Sequence, residues 1–149
     1  MKVTLEQYKT TQSYMVHWGD MDAAKHVNNL VYLRWAESAR IHYFEQMQMD
    51  TSFGVGGIGP ILAWQDCKYI FPMTHPDTAL VGIRVYEIKE DRFFLETAIF
   101  SQKHQRLAAL SHQSIVPYSY ADLKKVALPQ AWLNGIKQLE GDESLLFST

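Results

Sequence analysis

Between residues 18 and 35 the chain reads Trp18-Gly19-Asp20-Met21-Asp22-Ala23-Ala24-Lys25-His26-Val27-Asn28-Asn29-Leu30-Val31-Tyr32-Leu33-Arg34-Trp35. Two aspartates and a histidine sit in a short polar stretch that leads into two asparagines and then a long apolar run. A carboxylate can take a proton from water or attack an acyl carbon directly. The first turn of a helix leaves backbone N–H groups unpaired, and these can hold the oxyanion that such an attack creates. Asp22 is therefore the leading catalytic candidate. The plainer alternative is that an aspartate after a strand and before a helix only shapes the turn. Asp20 would point the same way as Asp22 if the strand continued, but it more readily braces the turn through backbone hydrogen bonds. His26 reads either as a base or water-orienting group or as a surface histidine. One of Asn28 and Asn29 caps the helix, and a cap also orients the same N–H groups. Asp22 and His26 have no third ligand nearby, so no metal site is expected.

The elements that must position these groups follow from periodicity. Residues 11–18, rich in Thr, Tyr, Val and Trp, predict a first strand. Over residues 30–47, helical angles put Tyr32, Leu33, Ala36, Ala39, Tyr43, Phe44 and Met47 on one side, with Val31 and Trp35 at its margin. Arg34, Glu37, Ser38, Glu45 and Gln48 gather opposite. So wide an apolar stripe implies a helix gripped by a curved partner. Glu37 and Arg40 on its flanks read as solvated charge. Residues 53–60 hold four of the eight glycines. They fail the phosphate-loop spacing, and a strand rather than a helix follows, so a channel wall or lid that includes Gly57 fits better.

Residues 61–71, 80–89, 92–102 and 106–118 are β-branched or aromatic-rich runs. The short connections after 89 and 102 suit hairpins, which predicts antiparallel neighbours. Within 92–102 both alternating faces are apolar, so the second face must be covered as well. One helix cannot do that, which points to a partner subunit. A short helix is expected over 129–137, with Pro129 at its start. The order of elements predicts an α+β architecture.

A chain of 149 residues fits one domain, 1–149, with loose termini at about 1–10 and 141–149. A net charge of −2 excludes a basic nucleic-acid footprint. The single Cys67 excludes an internal disulfide and reads as a small buried hydrophobe in a strand. Neither a secretory h-region nor a membrane-spanning run is present, so a cytoplasmic protein without membrane partners is expected. His75, His104 and His112 have no partner that the sequence names. Lys68, Lys89, Arg92, Lys103 and Arg106 fall near strand ends, where they could meet a nucleotide's phosphates or simply protect sheet edges.

Taken together, Asp20-Met21-Asp22, His26-Val27-Asn28-Asn29, Tyr32-Leu33 and Glu37-Ser38-Ala39-Arg40 resemble the hot-dog-fold acyl-CoA thioesterases, and within them the 4-hydroxybenzoyl-CoA thioesterase-like family. The resemblance implies a five-stranded antiparallel sheet wrapped around one long central helix. It also implies a homodimer with a continuous sheet, a further tetramer in many cases, and active sites at the dimer interface. Asp22 matches the catalytic carboxylate of the bacterial aroyl-CoA enzymes, and Asn29 matches the residue whose N–H polarises the thioester carbonyl. His26 matches a histidine of the plant acyl-carrier-protein thioesterases, whose asparagine is replaced here by Ala24. Lys25 stands where many relatives carry glycine.

The implied activity is cofactor-free hydrolysis of an acyl-CoA thioester to free acid and CoA. Asp22 would serve as base or nucleophile, His26 as positioning group, and Asn28, Tyr32, Trp35 and Gly57 as substrate contacts. The alternatives are a non-catalytic acyl-CoA-binding protein of the same fold and a thioester dehydratase or hydratase. The latter is disfavoured because Asp22 and His26 lack an intervening Asn-Pro.

Overall fold

The computed structural model describes residues 2–49 and 57–141. Residues 53–56 of the glycine-rich connection and the tail beyond 141 lie outside the described residues. Strand β1 spans Thr10–Met15, helix α1 Asn29–Gln46, β2 Ile58–Tyr69, β3 Thr78–Lys89, β4 Arg92–Ser101, β5 Arg106–Ser119, β6 Lys124–Lys125 and helix α2 Gln130–Glu140. The strands form one sheet in the order β1-β3-β4-β5-β2, with β6 paired to β5 off that path. β1 and β3 run antiparallel in a register from Thr10↔Ile83 to Met15↔Thr78. The expected α+β order and five-stranded path are present. Among the described residues no helix is long and apolar enough to cross a membrane.

Several boundaries differ from expectation for physical reasons. β2 begins at Ile58 and so takes in Gly59 and Pro60. It is an edge strand, where the missing proline N–H removes no necessary ladder bond. β1 ends at Met15, and Trp18–Asp20 instead forms a 3-10 turn. β6 is absent from the sequence expectation, since two residues carry no periodic signal. α2 runs on to Glu140 and stops at Gly141, whose φ of 68° is the left-handed conformation that closes a helix.

The chain divides into two compact units. One comprises Met1–Ile41, Cys67–Ile83 and Thr97–Ser111. In this unit Val31, Tyr32, Trp35, Ala36 and Ala39 of α1 are buried, while Arg34, Glu37 and Ser38 are exposed. The helical angles predicted this division. Arg40 departs from it: it is buried, its guanidinium lies 3.9 Å from Glu37 one turn back, and burial draws its pKa below the usual guanidinium value. Ahead of β1, the ring of Tyr8 lies over Gly82, where any Cβ would collide with it. Tyr8 joins Ala98 and Phe100 in a satellite core with Val3, Leu5, Leu80, Leu107 and Leu110 packed around it. The stretch before β1 is thereby anchored.

The second unit comprises His42–Asp66, Arg84–Glu96 and His112–Thr149. Phe44, Phe93 and Trp132 meet edge to face. Gly135 allows α2 to lie against the Met47 carbonyl, which a Cβ would strike. The β1 register stops at Ile83, and the Val85 N–H beyond it donates instead to the buried Glu140 carboxylate at 3.1 Å. The same carboxylate oxygen accepts the Tyr43 hydroxyl at 2.5 Å. Burial, reinforced by the Glu140 charge, holds the Tyr43 phenol above its ordinary pKa.

His112, for which the sequence names no partner, has one on each ring nitrogen. Nδ1 lies 3.0 Å from Asp66 of β2 and Nε2 lies 3.2 Å from Glu96 of β4. Arg84 holds the other Glu96 oxygen at 2.9 Å. The hydrogen bond to Glu96, followed by that to Asp66 and both charges, raises the imidazole pKa against the opposing effect of burial. The folded chain therefore holds this proton more tightly than the unfolded chain, whose ordinary value is 6.5. The resulting stabilisation is complete below that pH and is lost as pH rises through the raised folded value. Urea titrations should show the largest stability gap between wild type and His112→Asn near about pH 5.5, and a smaller one near about pH 9. A gap that does not change with pH would contradict this account.

Candidate functional site

The polar turn is a closed loop. Met21 and Val27 form an antiparallel bridge. Between them the Asp22 N–H donates to the His26 carbonyl at 3.1 Å, and the Lys25 N–H donates to the Asp22 carbonyl at 2.9 Å. Lys25 has φ of 62°, the left-handed region that glycine enters most readily. Closure of this loop thus places strain at a non-glycine residue. Asp22 Oδ1 accepts the Ala24 N–H at 2.9 Å. Its Oδ2 accepts no hydrogen bond from any described residue, and the side chain is exposed. His26 is exposed on the same loop.

Asp20 braces this loop, as expected. Its Oδ2 accepts the His17 N–H at 2.8 Å, and its carbonyl accepts the Asn28 N–H at 2.9 Å. The Val27 N–H donates to the Met73 carbonyl at 2.9 Å, which ties the loop to the segment after β2.

Asn28 is the helix cap. Its Oδ1 accepts the Leu30 N–H at 2.9 Å, and its carbonyl accepts the Val31 N–H at 2.9 Å. Of the N–H groups of Asn29, Leu30 and Val31, only that of Asn29 donates to no group among the described residues. This amide sits at the positive end of the α1 dipole. Asn29 also lines a cleft of about 240 Å³ with Val27, Tyr32, Tyr69, Ile70, Phe71 and Pro72.

Aromatic packing holds the cleft open. The Tyr32 hydroxyl accepts the Met73 N–H at 3.0 Å. Its ring meets Trp35 and Tyr69 edge-on, at 5.5 and 5.4 Å between centroids. The Tyr69 hydroxyl donates to the Asn29 carbonyl at 3.1 Å. Desolvation raises the pKa of both phenols, and a hydrogen bond with Cys67 adds to the rise at Tyr69, so both stay protonated as donors. Phe71 carries the Arg106 guanidinium 4.4 Å above its ring, and His104 meets it edge-on at 5.0 Å. Among the other strand-end cations, Lys89 lies over Phe94 and Arg92 pairs with Asp91.

The residues singled out from sequence fall into groups. Asp22 and His26 share the loop, Asn28 and Asn29 form the helix start, and Asn29 and Tyr32 line the cleft. Trp35 is buried behind Tyr32. Gly57 belongs to the other unit, where its carbonyl accepts the Tyr120 N–H at 3.0 Å, and it is not part of the cleft's lining. Sequence reasoning missed Val27, Tyr69, Ile70, Phe71 and Pro72, which a period-two pattern does not distinguish from other strand-end residues. Cys67, expected to be a buried hydrophobe, is half-buried on the edge strand beside Tyr69. Among the described residues no group of three His, Cys, Asp or Glu could hold a metal ion. A carboxylate with an open oxygen, an unpaired amide and an apolar cleft are together the parts that addition to an acyl group requires.

The family model of the Thioesterase-like superfamily matches residues 16–136. No curated protein matches the chain. Among solved structures, a thioesterase from Thermus thermophilus, complexed with coenzyme A and Zn, is 25% identical with a TM-score of 0.80, over 92% of this chain and 98% of the other. A protein from Pseudomonas aeruginosa strain PAO1 is 27% identical with a TM-score of 0.79, over 91% of this chain and 94% of the other. A 1,4-dihydroxy-2-naphthoyl-CoA thioesterase from Synechocystis, 22% identical, shares the fold with a TM-score of 0.79 over 88% and 97% of the two chains. The sheet and long helix are those of the hot-dog fold.

Proposed function

The chain belongs to the Thioesterase-like superfamily, and on that premise we propose that it hydrolyses acyl-CoA thioesters to a free acid and CoA. The observation that carries this reading is the unpaired Asn29 N–H at the mouth of an apolar cleft, one short loop away from an exposed carboxylate. Asp22 acts through its open Oδ2, either drawing a proton from water as it adds to the thioester carbon or adding to that carbon itself. The carbonyl oxygen gains charge in both routes, and the Asn29 N–H and helix dipole hold it. The C–S bond then breaks and CoA leaves as the thiolate. In the first route the adduct collapses directly to the free acid. In the second a water hydrolyses the acyl–Asp22 anhydride to release the acid and restore the carboxylate. A single donor of this kind contributes roughly 10²–10³ in kcat.

His26 positions the water or the Asp22 carboxylate from across the loop, and Asn28 holds the donor peptide. The acyl group lies against Tyr32, with Trp35 behind it. The coenzyme A bound to the Thermus thermophilus relative supports CoA as the leaving group.

The working form proposed is a homodimer. β2 is an edge strand that exposes Ile61, Leu62 and Trp64, the last at 50% of its surface, together with Tyr69. A long apolar edge of this kind invites another strand. A second copy of β2, paired antiparallel about a twofold axis, would continue the sheet across this edge and cover these side chains.

Two outcomes follow. Asp22→Asn should abolish thiol release from a panel of acyl-CoAs while preserving the melting temperature and the thermal shift on adding CoA. Full activity in that variant would refute the assignment, and a wild-type protein that shifts with acyl-CoA yet releases no thiol would make the chain a binder. Light scattering should give twice the 17.2 kDa chain mass for wild type and a single chain mass for Leu62→Lys/Trp64→Lys. A monomeric wild type would overturn the dimer.

A further inference from the structure

We propose that Tyr69 is a positioning residue that fixes the direction of the Asn29 N–H; this rests on the hydrolase reading above. Two peptide groups meet at Asn29. The one before it contains the Asn28 carbonyl and the Asn29 N–H, and it is held by the Val31 N–H donating to that carbonyl. The one after it contains the Asn29 carbonyl and the Leu30 N–H. It is held at both ends, because Asn28 Oδ1 takes the N–H at 2.9 Å and the Tyr69 hydroxyl reaches the carbonyl at 3.1 Å.

The Tyr69 bond comes from outside the helix, from a residue 40 positions away at the end of β2. Helix ends otherwise fray, because their terminal groups lack the full ladder. An oxyanion donor must be held to within about 10–20° of its productive direction. Anchoring the adjoining carbonyl to the strand meets that need and leaves the donor N–H itself unoccupied.

Tyr69 is rigid enough for the role. Its ring meets Tyr32 edge-on at 5.4 Å, and Tyr32 is in turn fixed by the Met73 N–H on its hydroxyl at 3.0 Å. The ring itself walls the cleft, so the phenol separates into two functions that substitution can divide. Tyr69→Phe keeps the wall and the edge-on contact and removes the hydroxyl, and with it the tie to Asn29.

The test is steady-state kinetics on an acyl-CoA that the wild type hydrolyses. Tyr69→Phe should lower kcat by about tenfold, with KM within about twofold of wild type, and with unchanged melting temperature and oligomeric mass. Asn28→Ala loosens the same peptide from the cap side. The double variant should therefore lose less than the product of the two single losses. A tyrosine that merely stabilised the fold would lower the melting temperature and combine multiplicatively. Wild-type kcat in Tyr69→Phe, a change in KM alone, or multiplicative losses would each overturn the inference while an inactive Asp22→Asn keeps the hydrolase reading intact. A fully active Asp22→Asn would remove that reading, and this inference with it.

Discussion

A helix begins with backbone N–H groups that its own ladder cannot satisfy, and the way α1 deals with three of them governs the rest of the site. Leu30 is paired by the Asn28 side chain and Val31 by the Asn28 carbonyl, while the Asn29 amide stays open. An unpaired amide buried in apolar surroundings would be costly. Asn29 is instead exposed at the cleft, where water can serve it until a better acceptor arrives. A carbonyl oxygen gaining charge is such an acceptor, and the helix dipole adds to the attraction. Two adjacent asparagines thus divide the work, one as cap and one as open donor.

The surrounding structure keeps that amide and the loop of Asp22 in fixed relation. Asp20 accepts the Asn28 N–H, so the turn and the helix start share a hydrogen bond, and Val27 is tied to Met73. The loop is closed tightly enough to hold Lys25 in a left-handed conformation. Strain of this kind persists only where neighbouring contacts over-determine the backbone. Tyr32 and Tyr69 extend the same restraint to the wall of the cleft. In the other unit, Glu140 serves a comparable purpose for the fold, giving a β3 amide the acceptor that β1 stops short of supplying.

Much of this is legible in the sequence alone. The buried and exposed faces of α1 follow the helical angles, because a period of 3.6 averages over many residues and survives local exceptions. Asp20's bracing role and the cap within Asn28-Asn29 are readable from turn chemistry, which acts over two or three positions. What escapes depends on contacts distant in sequence. His112 reads as solitary because its partners are 46 and 16 residues away on neighbouring strands. Tyr69 reads as one more strand aromatic because the carbonyl it serves is 40 residues earlier. Pro60 reads as the end of a connection, yet its edge position lets the strand run through it. Arg40 lies on the predicted charged flank yet is buried, since helical angle alone does not say how far neighbouring elements reach around a helix.

The central claim is that the Asn29 amide is the donor a substrate carbonyl meets. Its most direct test is the amide resonance of Asn29 in the presence of a non-hydrolysable acyl-CoA analogue that carries a ketone in place of the thioester. The Asn29 amide proton should move downfield and become protected from exchange, while those of Leu30 and Val31, already paired, shift little. An analogue that binds and leaves the Asn29 amide unshifted and freely exchanging would contradict the account.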